Sequence, residues 1–371
     1  MKRILNSLFL LFLITVFLYS CKQQKETINS SQNSEVTSNK SKKPKNIILL
    51  IGDGMGLSQV SSSLFYNEND SNFDRFSTIG LIKTSSSSDL ITDSAASATA
   101  FASGIKTYNG AVGVTKDSIS IETIVELISK KGISTGLVST SSITHATPAC
   151  FYAHVKSRRS EEDIATYLVH SDIDFFAGGG SKFFKNREDG KNLISVLKEK
   201  GFEVSSKELP KKVSNKKQAI LLSKKGMPKM IEGRGDFLPN ATKLAIESLS
   251  GNENGFFLMV EGSQIDWGGH DNDSEYLITE LLDFDKTIGV ALDFAKQNGE
   301  TLVIVTADHE TGGFTLAADD GDYNKIKPVF SSSSHSATMI PVFAEGPESL
   351  EFGGIYENTE IYTKMVSLFS E

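Results

Sequence analysis

The chain has 371 residues and a formal net charge of −8. That acidity argues against nucleic acid as a partner, since a phosphate-backbone binder needs an excess of cations. Only two cysteines are present, so a fold of this length must be held by its core rather than by disulfides.

Lys2 and Arg3 followed by the apolar run from Leu8 to Leu18 have the form of an export signal, with an apolar stretch too short to span a bilayer. It closes on Leu18-Tyr19-Ser20-Cys21, which resembles the lipobox of bacterial lipoproteins, where the cysteine carries the lipid. The expectation is a lipoprotein signal peptide over residues 1–20 and a lipid on Cys21. That lipid would hold the chain to a bacterial membrane on its periplasmic or cell-surface side and leave Cys150 without a partner. Residues 21–45 are mostly Lys, Gln, Asn, Ser, Thr and Glu, cannot bury enough surface to fold, and read as a flexible tether. Residues 46–371 suit one large α/β domain.

That domain opens on Asn46–Gly52, where Ile47 to Ile51 form an unbroken apolar run, the pattern of a strand buried on both faces of a parallel sheet. The run ends in Asp53-Gly54-Met55-Gly56. Ser85 to Ser88 reads as a solvated turn. Thr92-Asp93-Ser94 then leads into a helix of small residues, Ala95 to Ser103, with Gly104 as its C-cap. Ser94 has two readings there: a plain helix N-cap, or a nucleophile favoured by the free N–H groups and the positive dipole end.

The same strand grammar recurs at 134–140, leading to Ser141-Ser142-Ile143-Thr144-His145; at 255–260, leading to Glu261; and at 301–306, leading to Asp308-His309-Glu310. Helical patterns fall at 121–130, 161–168, 241–249 and 275–294. Strands alternating with helices predict a three-layer αβα sandwich around a mostly parallel sheet, whose ligands bind at the carboxyl edge. The Lys-rich stretch 191–229 reads as a peripheral α/β excursion carrying no chemistry, and Ser331 to Ser334 as a solvated loop.

Asp266 and His270 stand four residues apart, as one face of a helix or turn requires for a shared metal. Asp308 and His309 are adjacent at a strand end, Asp53 closes another, and His335 precedes the apolar run from Ile340 to Phe343. Six such N and O ligands would serve two Zn²⁺ ions with open positions for water and substrate. Glu261 and Thr147 add hard oxygen donors suited to Mg²⁺. Two metals about 4 Å apart clamp the attacking and leaving oxygens of a phosphoryl displacement, for which Ser94 is the nucleophile at hand. His154, on an apolar stretch, reads as a satisfied core residue, and His170 as the end of a helix.

Taken together, the chain resembles the alkaline phosphatase family. The motifs that carry the likeness are Ile51-Gly-Asp53-Gly-Met-Gly56, Thr92-Asp-Ser94-Ala-Ala-Ser-Ala-Thr99, His145-Ala-Thr147-Pro onward to Arg158, Val260-Glu261-Gly-Ser-Gln-Ile-Asp266 with His270, Thr306-Ala-Asp308-His309-Glu-Thr-Gly-Gly313, and His335 before a strand. The resemblance implies one zinc on Asp266, His270 and His335, a second on Asp53, Asp308 and His309, and a Mg²⁺ site on Asp53, Thr147 and Glu261. It implies a phosphorylated Ser94, Arg158 gripping two phosphate oxygens through its planar fork, and Asp93 orienting Arg158. It also implies a homodimer acting on small phosphate monoesters to scavenge phosphate.

Two positions depart from the enteric bacterial pattern. His145 stands where an Asp lies near the Mg²⁺, and Trp267 where a Lys holds phosphate through water. Both are therefore expected beside the substrate, His145 also as an alternative ligand and Trp267 equally as a packing residue. The alternatives are a phosphodiesterase or other ester hydrolase of the same superfamily, or a non-catalytic phosphate-binding lipoprotein.

Overall fold

The computed structural model describes residues 43–369. The expected signal peptide, Cys21 and the tether up to residue 42 lie outside the described residues. At the start of the fold, the backbone N–H groups of Lys45 and Asn46 both donate to Glu300 O, at 2.8 and 3.1 Å.

In chain order the strands are β1 (Asn46–Gly52), β2 (Thr78–Lys83), β3 (Ser134–Ser142), β4 (Phe175–Gly179), β5 (Glu203–Ser205), β6 (Gln218–Leu221), β7 (Phe256–Gly262), β8 (Thr301–Thr306), β9 (Glu310–Thr311), β10 (Phe314–Asp319), β11 (Asp322–Phe330), β12 (His335–Ser336), β13 (Ile340–Glu345) and β14 (Gly354–Glu357). Ten of them form one sheet in the order β14-β2-β13-β8-β1-β7-β3-β4-β6-β5. Within it only β13 runs antiparallel to its neighbours, β2 and β8. Two small ribbons, β10 with β11 and β9 with β12, lie outside it.

The four strands read from apolar runs are the centre of this sheet, and every residue of β1, β7 and β8 is buried. Helices flank it on both faces, so the αβα sandwich is observed. The helix expected over 121–130 is shorter, Ile124–Ser129, because Thr123 caps it: its hydroxyl accepts from Glu126 N while the Glu126 carboxylate accepts from Thr123 N. The helix expected from 241 starts earlier, at Phe237, since Pro239 is tolerated in a first turn. The Lys-rich excursion adds β5 and β6 at one margin of the sheet, as expected of a peripheral unit.

The longest helix, Ser274–Asn298, anchors by charge the segment that follows that excursion. Arg234, fully buried, donates to Glu280 Oε1 at 3.0 Å and Asp283 Oδ2 at 2.8 Å, and both carboxylates are buried too. Removing one partner of such a network leaves uncompensated charge in the interior. Arg234→Ala is therefore expected to cost about 3–5 kcal/mol of stability, read as a lowered urea midpoint.

His154 is the satisfied residue the sequence suggests. Its Nδ1 meets Gly113 O at 2.7 Å and its Nε2 meets Glu126 at 2.9 Å. Two acceptors suit the doubly protonated ring. Against the cost of burial, Glu126 and the Gly113 carbonyl raise the His154 pKa above its ordinary 6.5, and, also against burial, His154 lowers that of Glu126 below 4.5. A raised histidine stabilises fully below its unfolded pKa and loses that as pH rises through the folded value; a depressed carboxylate stabilises above its unfolded pKa. The pair is thus worth most between about pH 4.5 and 6.5. Glu126→Gln should lower the urea midpoint more at pH 5.5 than at pH 9.

Candidate active site and metal centre

Strand register alone sets three carboxylates side by side. Ile51 pairs with Glu261 on β7 and with Thr306 on β8, so Asp53, Glu261 and Asp308 leave the sheet at one edge. Gly54 permits the turn there: its φ is +75°, and a Cβ would lie 2.6 Å from the Asp266 Cα. Gly54 N donates to Asp308 Oδ1 at 3.1 Å, which aims the other oxygen inward.

Asp93, rather than Ser94, is the N-cap of the helix Ser94–Ser103: its Oδ1 accepts from Ala96 N at 3.0 Å. Ser94 is therefore the first helical residue, and its hydroxyl is left for other partners. It lies 3.3 Å from His309 Nε2 and 3.5 Å from Arg158 Nη1. The whole helix is buried, and Ala95, Ala96 and Ala98 let it pack closely under the site. Asp93 Oδ2 accepts from Gly110 N at 3.0 Å and from Arg158 Nη1 at 2.9 Å, so this carboxylate both caps the helix and orients the guanidinium. Against the cost of its burial, Asp93 holds Arg158 charged.

Asp266, His270 and His335 converge. His270 Nδ1 lies 2.8 Å from Ser333 O and His335 Nδ1 lies 2.9 Å from Thr92 O. A carbonyl only accepts, so both Nδ1 atoms carry hydrogen and Nε2 is the nitrogen of each ring left to offer a lone pair. Those two Nε2 atoms face each other at 3.2 Å, and lie 3.4 and 3.6 Å from Asp266 Oδ1. Two lone pairs and a carboxylate oxygen in mutual contact are repulsive unless a cation or proton lies among them.

The second cluster follows the same logic. Thr311 Oγ1 donates to Asp266 Oδ1 at 2.5 Å, so it accepts from His309 Nδ1 at 3.2 Å. His309 Nε2 is thereby bare, 3.2 Å from Asp308 Oδ2 and 3.6 Å from Asp53 Oδ1. Burial, with His335 nearby, pushes His309 down to about 3. Burial and the neighbouring Asp308, Asp266 and Glu261 push Asp53 well above the carboxylate range. Both Asp53 oxygens, Asp308 Oδ2 and Glu261 Oε1 are buried without a hydrogen-bond partner. Such orphaned acceptors fit divalent cations.

Asp53, His145 and Glu261 form a third group, and in each of the three clusters the candidate ligand atoms lie within 4.8 Å of one another. The buried Thr147 hydroxyl faces Glu261. His145 Nε2 lies 3.1 Å from Arg158 Nη2, which can only donate, so in this arrangement the proton sits on His145 Nδ1. Ligation through Nδ1 requires the opposite tautomer and gives up the Arg158 bond. Burial and Arg158 hold this ring neutral, with a pKa pushed down to about 3. Trp267 meets His145 edge-on at 6.1 Å and does not reach Ser94 by any hydrogen bond.

Sequence reasoning missed the residues that aim these ligands. Glu261 Oε2 accepts from Ser139 and Ser263, both at 2.6 Å, and from Ser141 at 3.1 Å, which dedicates Oε1 to the third cluster. Thr311 ties the first two clusters together. The signal available was the run of hydroxyl residues ending a buried strand, Ser139 to Ser142, but its partner is 122 residues away.

A serine at a helix start, faced by carboxylate and imidazole clusters at the carboxyl edge of a parallel sheet, is the plan of a metal-dependent hydrolase. A family model for alkaline phosphatase matches residues 44–328. Alkaline phosphatase 4 of Bacillus subtilis is 37% identical over 87% of this chain and 73% of its own length, and the alkaline phosphatase of Escherichia coli is 31% identical over 91% and 89%. The solved alkaline phosphatase of the Antarctic bacterium TAB5 is 54% identical, with a TM-score of 0.87 over 89% of this chain and 98% of its own. A histidine-to-aspartate variant of that enzyme is described with Mg bound in its M3 site. The chain belongs to the alkaline phosphatase family.

The serine cage has a measurable consequence. Ser139→Ala combined with Ser263→Ala frees Glu261 to rotate, and divalent-cation affinity at its cluster should fall about 10–100-fold by equilibrium dialysis, with the other two clusters little changed.

Proposed function

We propose that this protein hydrolyses phosphate monoesters through a phosphoserine on Ser94, with zinc at the Asp266-His270-His335 and Asp53-Asp308-His309 clusters and magnesium at the Asp53-Thr147-Glu261 cluster. The observation that carries the reading is the pair of bare Nε2 atoms at 3.2 Å beside Asp266, with Ser94 next to the second cluster. When bound, the metals would neutralise the clustered carboxylates, make the Ser94 alkoxide available and stabilise the leaving oxygen. The Mg²⁺-bound M3 site of the TAB5 variant supports a third divalent site here.

Ser94 Oγ attacks phosphorus as the bond to the alcohol oxygen breaks, and the alcohol departs with a proton. Water then attacks the phosphoserine, releasing inorganic phosphate and restoring the hydroxyl. Arg158, fixed by Asp93, offers its fork to the equatorial oxygens in both steps, so charge and positioning carry most of the acceleration. His145 borders this guanidinium and Trp267 closes the wall behind it.

The export signal and Cys21 support a lipid-anchored, extracytoplasmic enzyme that recovers phosphate, and family membership supports a homodimer. Purified protein should contain zinc and magnesium by elemental analysis and prefer a monoester over a diester or a sulfate ester of the same phenol. Ser94→Ala should lose at least about 10³-fold in kcat while still binding phosphate. Preference for the diester or sulfate, or a Ser94→Ala variant with unchanged turnover, would overturn the assignment.

A further inference from the structure

The excursion over residues 191–229 holds eleven lysines and three glutamates, in a chain whose net charge is −8. Part of it reaches the active edge of the sheet. After β6 the chain turns through Ser223 to Met227, and this turn is pinned by hydrogen bonds along its length. Ser181 N donates to Ser223 O at 2.9 Å, Gly180 N to Lys225 O at 2.7 Å, Met227 N to Thr140 O at 2.9 Å, and Gln264 Nε2 to Met227 O at 2.9 Å. Two glycines make the fit possible. A Cβ on Gly179 would lie 1.8 Å from Lys225 O, and one on Gly226 would lie 2.8 Å from the Trp267 ring.

Lys225 is thus carried on fixed backbone at the rim of a cleft of about 250 Å³. Its walls include His145, Trp267, Ser142, Glu161, Lys182 and Lys225. The cleft begins where the phosphate grip ends, because His145, in its wall, touches Arg158 Nη2 at 3.1 Å. Among the described residues neither Lys182 nor Lys225 makes an ion pair, and Lys182 Nζ rests over the Phe183 ring at 4.3 Å. The one carboxylate in the wall, Glu161, is engaged by the Thr144 hydroxyl at 2.8 Å, and burial raises its pKa. The cleft therefore presents two ammonium groups against one carboxylate, beside the Trp267 ring.

Resting on the monoesterase reading, we propose that this cleft is a subsite for a second anionic group on the alcohol portion of the substrate, held by Lys182 and Lys225. The favoured substrates are phosphate monoesters whose leaving alcohol carries another phosphate. A local cationic wall in an acidic protein also concentrates such substrates at the entrance, an effect that salt suppresses.

Fructose 6-phosphate and fructose 1,6-bisphosphate serve as the probes. At low ionic strength kcat/KM should favour the bisphosphate by about tenfold, beyond the factor of two from having two esters. Lys182→Ala with Lys225→Ala should abolish that advantage and leave fructose 6-phosphate hydrolysis unchanged, and Lys225→Glu alone should reduce it. Equilibrium binding of both sugars to Ser94→Ala gives a readout independent of turnover and should show the same preference and the same loss. Equal use and equal binding of the two sugars by the unaltered subsite would overturn the proposal, as would a preference that survives the double substitution or an equal loss for both sugars. Failure to hydrolyse either sugar, with the binding preference intact, would count against the monoesterase reading and support the subsite.

Discussion

The structure turns on an electrostatic demand at one edge of the sheet. Asp53, Glu261, Asp266 and Asp308 are buried together with imidazoles that present bare nitrogens to them. Charges of one sign in a low-dielectric interior cost several kcal/mol each unless something of opposite sign joins them. Every feature around the site either creates that demand or keeps its geometry from relaxing: the glycine turn after β1, the carbonyls behind His270 and His335, the serine cage on Glu261 and the Thr311 bridge. The arrangement is thus shaped for cations.

Arg158 is the site's own positive charge, and Asp93 fixes where on this edge it stands. Asp93 spends one carboxylate on three donors, Ala96 N, Gly110 N and Arg158. Helix start, loop and guanidinium are therefore tied together through one carboxylate, which sets the Ser94 hydroxyl relative to Arg158. On its far side Arg158 meets His145, whose single lone pair can serve the guanidinium or a cation but not both. This makes His145 a different kind of neighbour from the carboxylate expected in the enteric pattern.

Much of this was legible in the chain. Unbroken apolar runs marked the central strands because a strand buried on both faces has no polar side to interrupt it. The candidate ligands could be named from metal-binding residue types at short spacing and beside those runs, and the structure gathers them in the two groups that the family resemblance implies, Asp266, His270 and His335 in one and Asp53, Asp308 and His309 in the other. Less legible were the residues that work through backbone turns or across strands. The capping role moved from Ser94 to Asp93, since either residue type can cap and only the backbone angles decide. The Lys-rich excursion 191–229 read as a peripheral unit carrying no chemistry, yet the turn that carries Lys225 is bolted to β3 and β4 by main-chain bonds that no side-chain pattern encodes.

The sequence by itself determined the alternation of strand and helix and brought forward Ser94 and the carboxylate and imidazole residues as candidates, because these rest on residue type and short spacing. Only the tertiary structure decided which imidazole nitrogen is bare, which oxygen of Glu261 is free, and which lysines line the cleft beside His145. Several of those properties depend on distant partners, Ser333 lying 63 residues from His270, Ser139 122 from Glu261 and Thr92 243 from His335, which the fold brings together and no local pattern encodes.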